Sequence, residues 1–319
     1  MPHAAITVQA RFVLNWITFG YSMMLRHIRY LKTVAELGSF TRAAQALHVS
    51  QPALSKQIKQ MEDSMGAQLL DRTGRIVRPT DAGIAFLAHA SRALSEVEAA
   101  GRAAQDVEDL SRGHLRIALT PSFNGYLTAP MVKLFHQRYP GIRLKLTDMS
   151  QEDMEAALRD DRLDLGLAFS DVRSEDIEWH ELHAERLCVL AATSNPVLRS
   201  GDITSSRLCD EELILLDESF VTRQTIDAHF RRYDIKPRIA VEASSISAIV
   251  GLVRTSRLVS ILPDLLAREH KGLSAMPLAP PIPPRRVALL QRKGSYQSAA
   301  ARAFKGLAET FTRDLAGKI

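Results

Sequence analysis

Cysteine is nearly missing. Cys188 and Cys209 are the whole thiol content of 319 residues, with no Cys-x-x-Cys pair and no Cys/His grouping at metal-ligand spacing. A disulfide scaffold is excluded, and a reduced, cytoplasmic protein is the plain reading. A regulatory disulfide between the two thiols, and with it a redox-sensing role, is the minor alternative. The signatures of a phosphate-binding loop, an HExxH metalloprotease and a GxSxG nucleophile elbow are also absent, as is any ordered Ser/His/Asp set. Catalysis therefore has no positive support, and neither a catalytic residue nor a cofactor is expected. His180 and His183 stand in an expected strand, where a separation of three places them on opposite faces, so no metal site is expected there. Long apolar runs are lacking too. Phe12 to Met24 spans only about a dozen residues, too few to cross a bilayer, and no clear small-residue cleavage site follows it. Residues 1–23 read as a dispensable extension, with a membrane or secretion signal as the minor alternative. The net charge of +5 is mild and by itself points to no class of partner.

What is present is uneven. The length suits two or three domains, and 46% hydrophobic residues are enough to bury a real core. Between Met24 and Ala82 nine Lys and Arg face five Asp and Glu, so +4 of the total +5 sits in this one segment. Inside it, Phe40 to Lys59 (FTRAAQALHVSQPALSKQIK) reads as two short helices with a tight turn at His48-Val49. Thr41 is the expected cap of the first, with Ala43, Ala44 and Leu47 as its apolar face. Ser50 is the expected cap of the second, because its hydroxyl can accept from a free N–H of the first turn. Pro52 falls in that first turn, where a missing N–H costs little. Leu54, Ile58 and Met61 recur as a buried stripe. Gln51, Ser55 and Lys59 recur on another face, polar and basic as major-groove reading requires.

Flanking stretches extend the pattern. His27 to Leu37 is a helix expected to pack behind the pair, closed by Gly38. Gln68 to Thr80 reads as two short strands around Thr73-Gly74, a wing along which Arg72, Arg75 and Arg78 are spaced for phosphate or minor-groove contact. Thr80-Asp81 then caps a long helix expected to run to about Ser111, with Ile84, Leu87, Leu94, Val97, Ala104, Val107 and Leu110 as its stripe. So long an amphipathic helix suits a dimer seam. Its acidic balance after Gly83 keeps it from being a DNA clamp itself.

From His114 the texture becomes α/β. Strands are expected at 115–119, 142–146, 163–169, 186–192, 212–216, 238–243, 258–263 and 286–291, alternating with helices. That alternation predicts mostly parallel sheets in two sets, with a cleft between them where such sheets bind ligands. Thr120 to Gly125 links a strand to a helix and offers hydroxyls and backbone N–H groups suited to a small anion; a capped turn without a ligand is equally compatible. Ser244 to Ser247 opens another helix, where an ordinary N-cap is the favoured reading.

The segments SFTRAAQALHVSQPALSKQIKQME and QLLDRTGRIVRPTDAG resemble the N-terminal domain of LysR-type transcriptional regulators, and the likeness extends over about Met24 to Phe311. It implies an N-terminal all-α winged helix-turn-helix (24–82), a linker or dimerisation helix (83–111), and an α/β effector domain (112–313) of two subdomains resembling type 2 periplasmic binding proteins. The extension 1–23 departs from the family pattern. The resemblance further implies a regulator of promoter DNA, self-associated as a dimer of dimers, that alters DNA bending when a small molecule enters the cleft. Carried onto this chain, DNA contacts fall to Thr41, Arg42, Ser50, Gln51, Pro52, Ser55, Lys56 and Lys59, with the wing arginines beside them. Effector contacts fall to Thr120, Ser122, Phe123, Ser170, Thr222, Ser245 and Ser247. DVEDLSRGHLRIALTPSF, EASSISAI and LAPPIPP are similar to the branch of the family that governs cyanate use, which implies cyanate or another small anion as effector and an activator, with RNA polymerase as a further partner. The competing reading is a small-molecule binding protein or enzyme that merely carries a DNA-binding domain.

Overall fold

The computed structural model describes residues 21–105, 110–200 and 202–316. The first twenty residues of the expected extension lie outside that range, and so does Val107 of the expected linker stripe. The chain divides into two compact units, Met1–Ala104 and Gln105–Ile319.

In the first unit, α1 (Tyr21–Leu37) begins three residues before Met24. Its end is fixed by Gly38 in the left-handed region (φ 62°), a conformation glycine adopts without steric cost. A Cβ on Gly38 would also lie 2.8 Å from Ile76 Cγ2 of the wing. Next come α2 (Phe40–Ala46) and α3 (Gln51–Met65). Ser39, not Thr41, caps α2: it sits in the extended region and its hydroxyl accepts from Arg42 N. Thr41 is already inside the helix, where its hydroxyl cannot meet the first free N–H groups. His48 takes up the turn at φ 54°, Ser50 caps α3 by accepting from Ala53 N, and Pro52 stands in the first turn, as expected. Leu31, Val34, Ala43, Ala44, Leu54, Ile58 and Met61 close the core with Leu69 and Leu70. Strand β1 (Leu70–Asp71) pairs antiparallel with β2 (Arg78–Pro79) to form the wing.

Helix α4 (Asp81–Gln105) starts where Thr80 Oγ1 accepts from Gly83 N at 3.0 Å. Ala90 and Leu94 pack against Ile28 of α1. Ile84 and Val97, expected on the same stripe, stand 59% and 49% exposed. The expected end at Ser111 is not reached as helix, since Leu110 has φ 57°.

The second unit opens with β3 (Gly113–Leu119), a short 3-10 turn at Pro121–Phe123, a π turn at Asn124–Thr128 and α5 (Ala129–Arg138). Then follow β4 (Ile142–Asp148), α6 (Gln151–Arg159), β5 (Leu165–Phe169) and β6 (Ile177–Glu185). The chain crosses at Arg186 into β7 (Leu187–Ala192), β8 (Ile203–Thr204), α7 (Ser205–Asp210), β9 (Glu212–Leu216) and α8 (Val221–Arg232). The second subdomain continues with β10 (Arg238–Ala243), α9 (Ile246–Thr255), β11 (Ser260–Pro263), α10 (Leu265–Glu269), β12 (Leu273–Met276) and β13 (Leu278–Ala279). The proline-rich return, with a cis bond before Pro280, leads back into β14 (Arg285–Arg292) and α11 (Ala299–Ala316) of the first.

The sheets are mixed rather than mostly parallel. In the order β4-β3-β5-β14-β6, β3 runs parallel to β4 and β5, while β14 runs antiparallel to both β5 and β6. In the second subdomain β9 and β10 are parallel, but β7 is antiparallel to β11 and β12. The reason is the return path: β14 re-enters the first sheet from the other subdomain and so arrives in the opposite direction. One apolar core runs through both subdomains, from Phe123, Tyr126, Phe135 and Phe304 to Ile214, Ile249 and Leu266. Among the described residues no helix is long and apolar enough to cross a membrane.

Candidate DNA-reading face and effector cleft

The exposed side of α3 carries the residues that the sequence singled out. Ser50, Gln51, Pro52, Lys56 and Lys59 are exposed, Ser55 is half-buried, and Leu54 and Ile58 are fully buried. The separation is a consequence of helical period: 51, 55 and 59 lie on one stripe, and 54, 58 and 61 on another about a quarter turn away, which leaves Ser55 at the border. Thr41 and Arg42 are exposed on α2, and Arg42 donates to the Leu37 carbonyl. The three wing arginines are not equivalent. Arg75 and Arg78 are exposed. Arg72 is half-buried, with its guanidinium 2.5 Å from Glu62 and 5.1 Å over the Phe40 ring. Asp71 Oδ1 accepts from the Thr73 backbone and hydroxyl, which holds the Asp71 carboxyl below its ordinary range and tightens the wing's turn.

The expected effector residues gather around the join between the two subdomains, with unequal standing. Thr120 and Ser122 are buried, and the hydroxyl of each lacks a hydrogen-bond partner. Phe123 packs 5.1 Å from Phe169 at the end of β5, and Ser170 follows directly, its N–H donating to Arg286 O. Gly125 brings this loop against the second subdomain: a Cβ there would meet Leu266 Cδ2 at 2.6 Å and Ile246 Cγ2 at 3.1 Å. Ser245, at the same helix start as Ile246, uses its hydroxyl on Ala248 N, an ordinary N-cap, and Ser247 is exposed. Thr222 is buried in the first turn of α8 and accepts from Arg285 at 3.1 Å.

Sequence reasoning missed the charged centre of this join. Arg285, the first residue of β14, lies 4.2 Å over the Phe169 ring and is ion-paired with Glu185, its cross-strand neighbour on β6. Tyr126 donates to the same carboxylate; burial first, then Glu185, pushes its hydroxyl well above the ordinary phenol range, so it remains a donor. The alternation in HELHAER was the available signal: His183 and Glu185 share the inward face of β6 at period two.

A cleft of about 660 Å³ lies beside the join, lined by the start of α6, residues 171–176 and residues 219–224. None of the seven expected effector residues lines it. Its walls carry Glu152, Glu155, Asp171, Glu175 and Asp176 against Arg159 and Arg173. Glu155 is buried and accepts from Arg173 N and Ser174 N, so it holds the loop rather than facing a ligand.

His180 pairs with Glu309 at 3.1 Å, and His183 is buried. A register shift in β6 sets them opposite Leu289 and Val287, which share one face of β14, so the bulge removes the opposite-face placement expected of a regular strand. Among the described residues no three His, Cys, Asp or Glu side chains stand close enough to hold a metal ion. Cys188 and Cys209 are free thiols; burial, reinforced by Asp264, pushes the Cys188 thiol up to about 11.

Comparison with known proteins matches both units. The model for bacterial regulatory helix-turn-helix proteins of the lysR family covers residues 25–84, and that for the LysR substrate binding domain covers 108–312. The chain is 33% identical over 291 residues to the HTH-type transcriptional regulator YnfL of Escherichia coli, spanning 88% of this chain and 96% of that one. It is 30% identical over 280 residues to the Hca operon transcriptional activator HcaR of the same organism, spanning 87% and 94%. A solved full-length OxyR variant from Pseudomonas aeruginosa superposes with a TM-score of 0.67 at 26% identity, covering 90% of this chain and 93% of that one. The relatives are transcriptional regulators, so the reading as an enzyme with an appended DNA-binding domain is set aside. The chain belongs to the LysR family and is a DNA-binding transcriptional regulator with an effector-binding domain.

Proposed function

We propose that this regulator reads promoter DNA with the exposed face of α3 and answers to a small anionic effector held at the join of its α/β subdomains. Gln51 and Ser55 read base edges; Lys56 and Lys59 hold phosphates, with Thr41, Arg42, Ser50 and Pro52 at the rim. Arg75 and Arg78 add phosphate or minor-groove contacts. The carrying observation is the division of α3 into a fully buried stripe at Leu54 and Ile58 and a polar, basic, solvent-facing one. Capture of DNA from a random library by the full chain tests it: recovery of one recurrent site supports the reading, and recovery without sequence preference overturns it.

The unpartnered buried hydroxyls of Thr120 and Ser122 support an effector with hydrogen-bond acceptors. Cyanate is the candidate that the sequence resemblance supplies, and a rise in melting temperature with millimolar cyanate is the check. HcaR is by name an activator, which favours activation, with RNA polymerase as partner. The exposed Ile84 and Val97 of α4 support self-association through that helix, the first step toward a dimer of dimers. A cytoplasmic location follows from a promoter as target. Thiol sensing is disfavoured by Cys188, whose raised pKa leaves almost no thiolate at neutral pH.

A further inference from the structure

We propose that Arg285 is the anion receptor of the effector site and that the buried Glu185 occupies it as an internal competitor. The proposal rests on the anionic-effector reading above and adds the residue that recognises the charge.

Arg285 keeps a donor that its contacts within the fold leave unused. Its side chain is 9% exposed. A guanidinium has five N–H donors in a fixed fork. One nitrogen donates to Thr222 Oγ1 and one to Glu185, while the buried Nε has no partner. One face of the fork is covered by the Phe169 ring. The unpartnered Nε fixes where a further acceptor is wanted, and a planar anion can take two parallel donors of such a fork.

The neighbouring backbone favours the same charge. Thr222 is in the first turn of α8, a helix of 12 residues whose capping position is Phe220 and receives no side-chain cap. The first N–H groups of a helix have no partner inside it, and the positive end of the helix dipole lies there. Arg285 is bonded to this turn, so the guanidinium and the helix terminus are neighbours. Ser122 and Thr120 supply further unpartnered donors on the strand-to-helix loop whose Phe123 packs on Phe169.

Glu185 neutralises the site. Its side chain is 0% exposed, and it accepts from Arg285 and from Tyr126. A buried guanidinium left alone would be costly, and the carboxylate offsets that cost. An incoming anion must share or displace this carboxylate. In doing so it loads a bond that ties the first sheet to the second subdomain, because Arg285 stands on β14 and Thr222 on α8. Binding and subdomain geometry are thereby coupled at one residue.

The test titrates the full chain by calorimetry with sodium cyanate and, separately, sodium acetate. Arg285→Gln is expected to weaken binding by about tenfold or more, and the Arg285→Gln/Glu185→Gln pair likewise, since each loses the charged hydrogen bond to the anion. The double variant removes both charges, so no buried charge is left alone if the single variant fails to fold. Arg285→Lys retains the charge without the fork and is expected to lose acetate more than cyanate. Glu185→Gln alone is expected to tighten binding several-fold. Equal affinity in the cooperatively melting double variant and in Arg285→Lys overturns Arg285 as receptor and leaves the anionic reading standing. Weaker binding by Glu185→Gln overturns the competitor role. If the unmodified chain binds neither anion, the anionic reading falls and this inference falls with it.

Discussion

Glu62 and Arg72 form the clasp between the reading helix and the wing. One carboxylate oxygen of Glu62, near the end of α3, accepts from Leu69 N and Leu70 N at 2.9 and 3.0 Å; the other meets Arg72 at 2.5 Å. The wing arginine nearest the helix is thereby bound to the fold rather than presented to solvent.

Arg72 should therefore behave unlike its neighbours. Arg72→Ala is expected to lower stability by about 1–3 kcal/mol, since it leaves the largely buried Glu62 carboxylate short of a charged partner. Arg78→Ala is expected to leave stability within about 0.5 kcal/mol and to reduce the salt dependence of DNA binding. Urea unfolding and salt-dependent binding of both variants separate the two roles.

The helix pair depends on its buried stripe. Leu54 is fully buried between α1 and α2. Leu54→Ala is expected to cost about 2–5 kcal/mol through lost burial and an unfilled cavity. That is comparable to the whole stability of a small unit, so loss of DNA binding should follow loss of the folded first unit in circular dichroism.

Stability should fall on mild acidification. Burial lowers His183 from 6.5 to about 4, against an opposing pull from Asp264, and burial also lowers His27 and His229. The folded state then binds fewer protons than the unfolded one between about pH 6.5 and 4. Stability is complete above 6.5 and is lost as pH falls through this window. For His183 the loss approaches roughly 3 kcal/mol near pH 4. Urea melts at pH 7 and 5 check it, and His183→Leu should flatten the slope.

Cys188 should label slowly. With its thiol at about 11, alkylation at pH 7.5 followed by mass spectrometry should run on the order of a hundredfold below that of an unperturbed cysteine. Rapid labelling, or a peroxide-induced bond to Cys209, would revive the redox alternative.

What was legible in the sequence was local. Ser50, Pro52 and the Leu54/Ile58/Met61 spacing name a capped helix with a buried side because caps and periodicity act over a turn or two. Ser39 and Thr41 are not separable as caps by sequence, because both are hydroxyls two positions apart and only the backbone dihedral decides which is the cap. The centre of the effector site was not legible. Tyr126 is 59 positions from Glu185, and Glu185 is 100 from Arg285, so their meeting depends on a strand that returns after a whole subdomain. The same return makes β14 antiparallel, which alternation of strands and helices does not encode.

The most direct test of the central claim, that the exposed face of α3 reads promoter DNA, is anisotropy titration of a library-selected site across a range of salt. Lys56→Ala should weaken binding to selected and scrambled DNA alike and lower the salt slope by about one. Gln51→Ala should weaken the selected site by roughly 1–3 kcal/mol and relax preference at one base pair. Unchanged affinity, slope and preference in both variants would contradict the account.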